Sequence, residues 1–531
     1  MNLHGKRLLI LLALAAALVL ATSPSLAQQP RAGGTLTVIT PADISTMDPH
    51  AGYGFSLRVY ANVFEPLLRK DEKGIIHGHL VESWKFLDPT HLQMTLRKGI
   101  KFHSGTELTA DAVKFTYERQ LNPANPAVNA QFLRELNLRI RVVDRYTLVL
   151  ETGATTAVLL DLLAESIVGL IQDPGEVKKW GKDFGLHPSG TGPFKFVEWV
   201  RNQYVKLTRN PDYWGGAPYI DTLIFKVIPE EGTRVLALES GEADVLFETP
   251  PSAIAGLRAN PKLVVSRVPT FRDLNMHLNT SRAPTDDVRL RRALAQAINV
   301  KAIVEEVVTP DVGVLSTGLF NPTVFGACDV GFPLYNPEKA KQAFAELGYR
   351  PGRDGILAKD GRPLQLSLLL NPQRDPRNPE VAEAIQAQLR SFGVDVKLRL
   401  MEFATYAKML ASAEGDYDMA FLGHGITTGD ADSKASHFTR ANMPPAGLNV
   451  PRYSSPELDN VILAARQEMN KEKRKELYCK FGQIYRDQVL GIALYASIRT
   501  TTTWRHVNGM VLHPDEWYPQ IYPKVWFGPK N

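Results

Sequence analysis

The segment 364–400 constrains the fold of this chain more tightly than any other. It reads LQLSLLL at 364–370, VAEAIQAQLRSFG at 381–393 and VDVKLRL at 394–400. A nearly unbroken apolar strand has to be covered on both faces, which is the habit of parallel sheets. The middle stretch places Val381, Ile385, Leu389 and Phe392 on one helical face. Val394, Val396, Leu398 and Leu400 then alternate with polar residues as a second strand. Strand, helix and strand in that order form a βαβ crossover. A further apolar strand, YDMAFLG at 417–423, follows. The chain therefore holds an α/β domain.

That segment is a small part of 531 residues. A chain of this length is expected to form two or three domains. The first half has a different texture. GGTLTVIT at 33–40 reads as a strand, and Leu92, Met94 and Leu96 alternate in the next. Tyr146, Leu148 and Leu150 repeat the pattern. TADAVKFTYERQL at 109–121 is helical, with Thr109 at the N-cap. Helices dominate later. The stretch 286–308 is one helix or two in succession. Asn336 caps another, with Pro337 opening it and Gly348 stopping it, and Ser455 with Pro456 opens a third. IALYASIRTTTTW, at 492–504, returns to strand. An α/β domain inserted into, or following, a strand-rich one is the expected organisation.

Lys6 and Arg7 precede 14 apolar residues, Leu8 to Ala21, and SLA follows at 25–27. This is the pattern of a signal peptide, expected to be cleaved after Ala27; the apolar run is short for a membrane span. The residue after Ala27 is not Cys, so no lipid anchor is expected. The formal charge is +5, and losing Lys6 and Arg7 with no acid leaves +3. That is weak for the size, and no basic stripe suggests nucleic acid. Arg289, Arg291 and Arg292 cluster beside Asp286 and Asp287, the pattern of a solvated helix start. Cys328 and Cys479 are the two cysteines. In an oxidising compartment they could pair, although spacing does not decide it.

Enzyme motifs are missing. The chain has no G-x-S-x-G, no G-x-x-x-x-G-K-[ST] and no H-E-x-x-H. His77 and His79 sit at a strand end or turn, without a third ligand close in sequence. His103 lies at a turn, where a structural hydrogen bond is expected. Asp430 and Asp432 begin like a calcium loop, but Lys434 occupies the third acidic position. Neither metal nor cofactor is expected. Position is more informative, since ligands of open α/β sheets bind outside the carboxyl ends of the strands. Two loops qualify: NPQRDPRNP after Leu370, with Arg374 and Arg377, and the loop after Gly423, with His424, Thr427 and Thr428. A guanidinium beside threonine hydroxyls suits an anionic group such as a carboxylate.

Several stretches, in order, carry a family resemblance: VFEPLLRKDEKGIIHGHLVESWKF, LRKGIKFHSGTELTADAVKFTYER, GTGPFKFVEWV, LTRNPDYWGGAPYIDTLIFKVI, ESGEADVLF, LNTSRAPTDDVRLRRALAQAIN, YNPEKAKQAFAELGY and YSSPELDNVILAARQEM. Together they resemble the family 5 extracytoplasmic solute-binding proteins of ATP-driven importers, the dipeptide, oligopeptide, nickel and glutathione group. The resemblance covers nearly all of the chain beyond the leader.

It implies a two-lobed α/β periplasmic-binding-protein fold of the cluster C type, with an extra subdomain on the first lobe. Lobe I would hold 34–272 plus 493–531, its subdomain about 76–185, and lobe II 273–492. The hinge would fall near 271–279 and 492–497. The ligand would be enclosed between the lobes and handed to a membrane permease driven by ATPase subunits. The protein would be a periplasmic monomer and not an enzyme. In dipeptide binders an Arg of the first loop pairs with the ligand carboxylate, and the match falls on Arg374. The second loop often reads G-W-x-x-D-x-x-D-P in peptide binders. Here Gly423 is kept, His424 stands at the Trp, Thr427 at the first Asp and Asp430 at the second. That first Asp holds the ligand ammonium, and a hydroxyl cannot supply its charge. The resemblance thus favours a peptide-like or other small polar, anionic solute over ordinary dipeptides. Asn279, at the first hinge, and Thr46, in lobe I's first loop, line the cleft in the family, and a structural role is open for both. A nickel chelate held through His424 is an alternative within the family, and a secreted hydrolase is one outside it.

Overall fold

The structure is a computed structural model that describes residues 30–52, 55–124, 127, 130–164, 168–372, 377–424, 428–515 and 522–529. The leader and its cleavage position lie outside these residues. One eleven-stranded sheet organises the chain. Its strands are β1 (Thr35–Thr40), β2 (Phe194–Val200), β3 (Tyr204–Arg209), β4 (Thr222–Val227), β5 (Val245–Leu246), β6 (Leu263–Leu278), β7 (Gly313–Leu315), β8 (Gln365–Leu370), β9 (Asp395–Leu400), β10 (Met419–His424) and β11 (Gly491–Trp504). They lie in the order β9-β8-β10-β6-β11-β5-β1-β4-β3-β2, with β7 also paired to β11.

The βαβ segment forms as its pattern requires. β8 and β9 run parallel, with Leu366 opposite Val396 and Leu370 opposite Leu400. Helix Asn378–Ser391 makes the crossover. Its Val381, Ile385 and Leu389 are fully buried in one apolar cluster with Leu366, Leu368 and Phe421, and Phe392 packs half-buried at the edge. β10 joins β8 in parallel on the other side.

β6 and β11 decide the architecture. Leu263–Pro269 pairs with Ile498–Trp504, and Asp273–His277 pairs with Gly491–Ala496. Between Pro269 and Asp273 the register breaks. On one side of the break β5 pairs with β11 and runs parallel to β1. On the other side β10 pairs with β6, from Leu278 opposite Met419 to Asp273 opposite His424. β1 and β5 therefore run toward the break from one side, and β8 and β10 run toward it from the other. Each side has its own core: Leu36, Val38 and Phe225 belong to one apolar cluster and Leu274, Leu368 and Phe421 to another.

A separate antiparallel sheet pairs Val81–Asp88, His91–Leu96, Thr147–Glu151 and Arg139–Val142 in that order. Leu92, Met94, Leu96, Leu148 and Leu150 fill its buried face. Helix Ala110–Leu121 has Thr109 at its N-cap, though without a side-chain capping bond. Asn336 and Ser455 cap helices Pro337–Glu346 and Pro456–Gln467 by accepting the Lys339 and Leu458 amides.

The basic cluster departs from expectation. Arg289 is exposed and paired with Asp287. Arg291 is buried, and its guanidinium donates to the carbonyls of Thr285, Asp286, Gln488 and Val489. Helical spacing puts it on the inward face with Leu290 and Leu294, so its charge is met by backbone carbonyls rather than water. Cys328 and Cys479 are bonded, with Cα atoms 5.4 Å apart. Among the described residues no helix is long and apolar enough to cross a membrane.

Candidate functional site at the facing strand ends

Two sets of parallel strands end at the register break and face each other. From one wall come the chain after β1 and the segment after β5. From the other come the loops after β8 and β10. Arg374 and Thr427 fall in those loops but lie outside the described residues. His424 closes β10 opposite Asp273, and its side chain is likewise outside the description.

The rest of the loop after β10 is held by buried charge. Asp430 takes both guanidinium nitrogens of Arg474, at 2.6 and 2.7 Å. Asp432 takes Arg466, at 3.1 Å. Lys434 is fully buried and reaches Asp273 at 2.6 Å and the Leu319 carbonyl at 2.7 Å. Asp430 keeps its charge by the fork-to-fork geometry, although burial pushes its carboxyl above the usual range against the pull of Arg474. Gly429 has φ +65°, and a Cβ there would run into the Phe271 ring. Thr428 is buried, and its hydroxyl bonds the amide and carbonyl of Asp430. The two acids that imitate a calcium loop are thus the anchors of the loop.

Contacts cross from wall to wall. The Lys70 ammonium pairs with Asp161 at 2.5 Å and donates to the Thr428 carbonyl. The Ala157 amide donates to the Arg466 carbonyl at 2.9 Å. Arg466 also lies 3.9 Å from Glu135. Behind the first wall, buried Glu65 accepts from His79, Tyr213, Trp214 and Thr191 at 2.6–2.9 Å. Burial raises the Glu65 pKa, but His79 and the other donors outweigh it and hold it at about 2.

At the break itself, Arg58 meets Glu248 at 2.7 Å. Arg499 is buried and donates to the His513 carbonyl at 2.6 Å. The Arg272 guanidinium lies against Gly423, where an added Cβ would come within 3.2 Å of it.

The other expected residues are placed as follows. Thr46 accepts the Asp48 amide at 3.0 Å in a local turn and packs against Gly185, where no Cβ would fit. Asn279 is fully buried: its amide donates to the Gly415 and Tyr417 carbonyls, and its oxygen accepts from the Ser281 amide and hydroxyl. It lies beyond the far end of β6, about 20 Å along the strand from the break at the usual rise per residue. Thr46 and Asn279 are thus engaged in packing. His79 is bonded to Glu65, while His77 pairs with Asp71 at the surface. His103 donates from Nε2 to the Gly192 carbonyl at 2.9 Å. Among the described residues no group of three His, Cys, Asp or Glu side chains is placed to hold a metal. Lys70, Arg58 and Glu248 escaped the sequence reading. Glu248 alone had a local hint, as a lone acid two residues past an apolar strand end.

Residues 76–443 match the family model described as bacterial extracellular solute-binding proteins, family 5 middle. A glutathione-binding protein of Salmonella typhimurium is 26% identical over 512 residues, spanning 95% of this chain and 96% of that protein. A probable di/tripeptide-binding protein of Pseudomonas aeruginosa is 27% identical over 527 residues, spanning 94% and 97%. Among solved structures, the periplasmic binding protein DppA of Helicobacter pylori in complex with the peptide STSA superimposes with TM-score 0.77 at 25% identity, over 94% of this chain and 98% of that one. NikA of Brucella suis in complex with Fe(III)-EDTA has the same fold, with TM-score 0.84 at 24% identity over 93% and 100%.

Proposed function

The chain belongs to the family 5 bacterial extracellular solute-binding proteins, and from that premise we propose that it captures a small, peptide-like, anionic solute in the crevice and delivers it to an ABC permease. The observation that carries this reading is the convergence of two sets of parallel strand ends on the register break, which β6 and β11 bridge. Binding needs no covalent chemistry. A crevice walled by fixed polar groups can orient a ligand and desolvate it as the walls approach. We divide the chain at the register break, reading 34–272 with 493–531 as lobe I and 273–492 as lobe II, and the separate antiparallel sheet as part of an extra subdomain on lobe I. The leader directs export and is removed after Ala27, leaving a monomer outside the cytoplasm. Arg374, His424 and Thr427 reach the ligand from lobe II, Thr428 and Thr46 shape the walls, and Asn279 fixes the far end of β6 away from the ligand.

Thermal-shift screening of the mature protein tests the reading. The panel holds glutathione, di- and tripeptides, sugars and nickel chelates. A true ligand at a hundred times its Kd stabilises by about 2.7 kcal/mol. Stabilisation by a carboxylate-bearing peptide is the expected result. A response to sugars alone, or to nickel chelates alone, would overturn it.

A further inference from the structure

Four charged side chains gather at the register break. Arg58 stands on the short helix Phe55–Tyr60, which follows the loop after β1. Glu248 lies two residues beyond β5 and pairs with Arg58 at 2.7 Å. Arg499 sits on β11 and Arg272 on β6, at the break. Two of the guanidiniums lie over aromatic rings. Arg58 lies 4.1 Å from the centroid of Phe247 and 4.8 Å from that of Phe55, and Arg499 lies 5.0 Å from that of Phe247. Stacked guanidiniums present their edges, and an edge with two N–H donors fits a planar carboxylate.

Glu248 differs from the buried acids behind the loop. Its side chain is 40% exposed, whereas that of Arg58 is 6% exposed. Its backbone has φ +58°, a left-handed conformation that costs a residue with a Cβ about 1 kcal/mol. Structures retain such strain where the surroundings impose it, often at binding sites. Burial works against the Glu248 carboxylate, but Arg58, and with it Arg499 and Arg272, hold its pKa below the usual range. A half-exposed carboxylate on a strained turn, facing stacked arginines, already does what a ligand carboxylate would do.

We propose that Arg58, with Arg499 and Arg272 behind it, forms a carboxylate subsite on the crevice floor, and that Glu248 occupies it until a ligand carboxylate displaces it. The inference rests on the binding function proposed above and deepens it, because it requires an acidic group on the solute.

Calorimetric titration tests the exchange, with glutathione and a series of di- and tripeptides as acids and with their ethyl esters as controls. The acids should bind wild type at least tenfold more tightly than the esters. Arg58→Gln should weaken binding of the acids about tenfold or more, as loss of a charge-assisted hydrogen bond implies. Glu248→Gln should tighten it, because the internal competitor has lost its charge. Should Arg58→Gln not fold, the sign of the Glu248→Gln effect carries the test alone. Weaker binding in Glu248→Gln would assign that carboxylate to a ligand ammonium and overturn the proposal, and so would equal binding of acids and esters. If none of the acids binds wild type, the proposed function falls as well.

Discussion

At the residue scale, the loop after β10 shows how buried charge can build a scaffold. Asp430 and Arg474 are both almost fully buried and bonded through two nitrogens. A buried pair broken from one side leaves an uncompensated charge, which typically destabilises by 3–5 kcal/mol. Arg474→Met is therefore expected to lower the unfolding free energy by about that much in a denaturant titration. The double variant Asp430→Asn/Arg474→Met should lose clearly less than the two single variants summed, since the orphaned charge is gone. Additive losses would mean that the two side chains stabilise the loop separately. Asp430 matches the second Asp of the family pattern. Its partner lies 44 residues away, and no local pattern links the two.

At the scale of elements, local chemistry was largely legible. The caps at Asn336 and Ser455 and the apolar faces of 364–400 depend on neighbours within a few residues. Arg291 was misread because charge patterning reports which residues are polar, not which carbonyls a fold will offer them. The disulfide is a different case. It joins a loop at Cys328 to helix Lys471–Asp487 across 151 residues. In the chain-entropy model a loop of that length stabilises by roughly 4–5 kcal/mol. Cys328→Ser/Cys479→Ser should lose several kcal/mol, and wild type melted with reductant should behave alike. Matching melting curves for oxidised and reduced protein would refute that role.

At the scale of the whole molecule, wall-to-wall contacts and buried histidines predict behaviour. Lys70 joins the two walls through Asp161 and the Thr428 carbonyl. Lys70→Met should favour separation of the walls, seen as a larger radius of gyration in solution scattering and weaker ligand binding. An unchanged radius and affinity would leave Lys70 without that role. Burial holds His50 at about 3 and His79, His103, His437 and His513 at about 4. Their unfolded pKa is about 6.5. Between pH 6.5 and 4 the unfolded chain takes up protons that the folded chain refuses, so stability falls as the pH drops through that window. The Tm should decline steadily from pH 7 to pH 5, and a flat profile would contradict these depressed values. The α/β segment, the strand-rich first half and the strand ends at Leu370 and Gly423 are legible in the order of residues. Each follows from periodicity and capping over short spans, where covalent connection sets the geometry. The course of β6 and β11 through the break, the pairing of the cysteines and the meeting of Arg58 with Glu248 emerge on folding. Those placements join residues from 151 to 241 positions apart, and they depend on packing that no local pattern encodes.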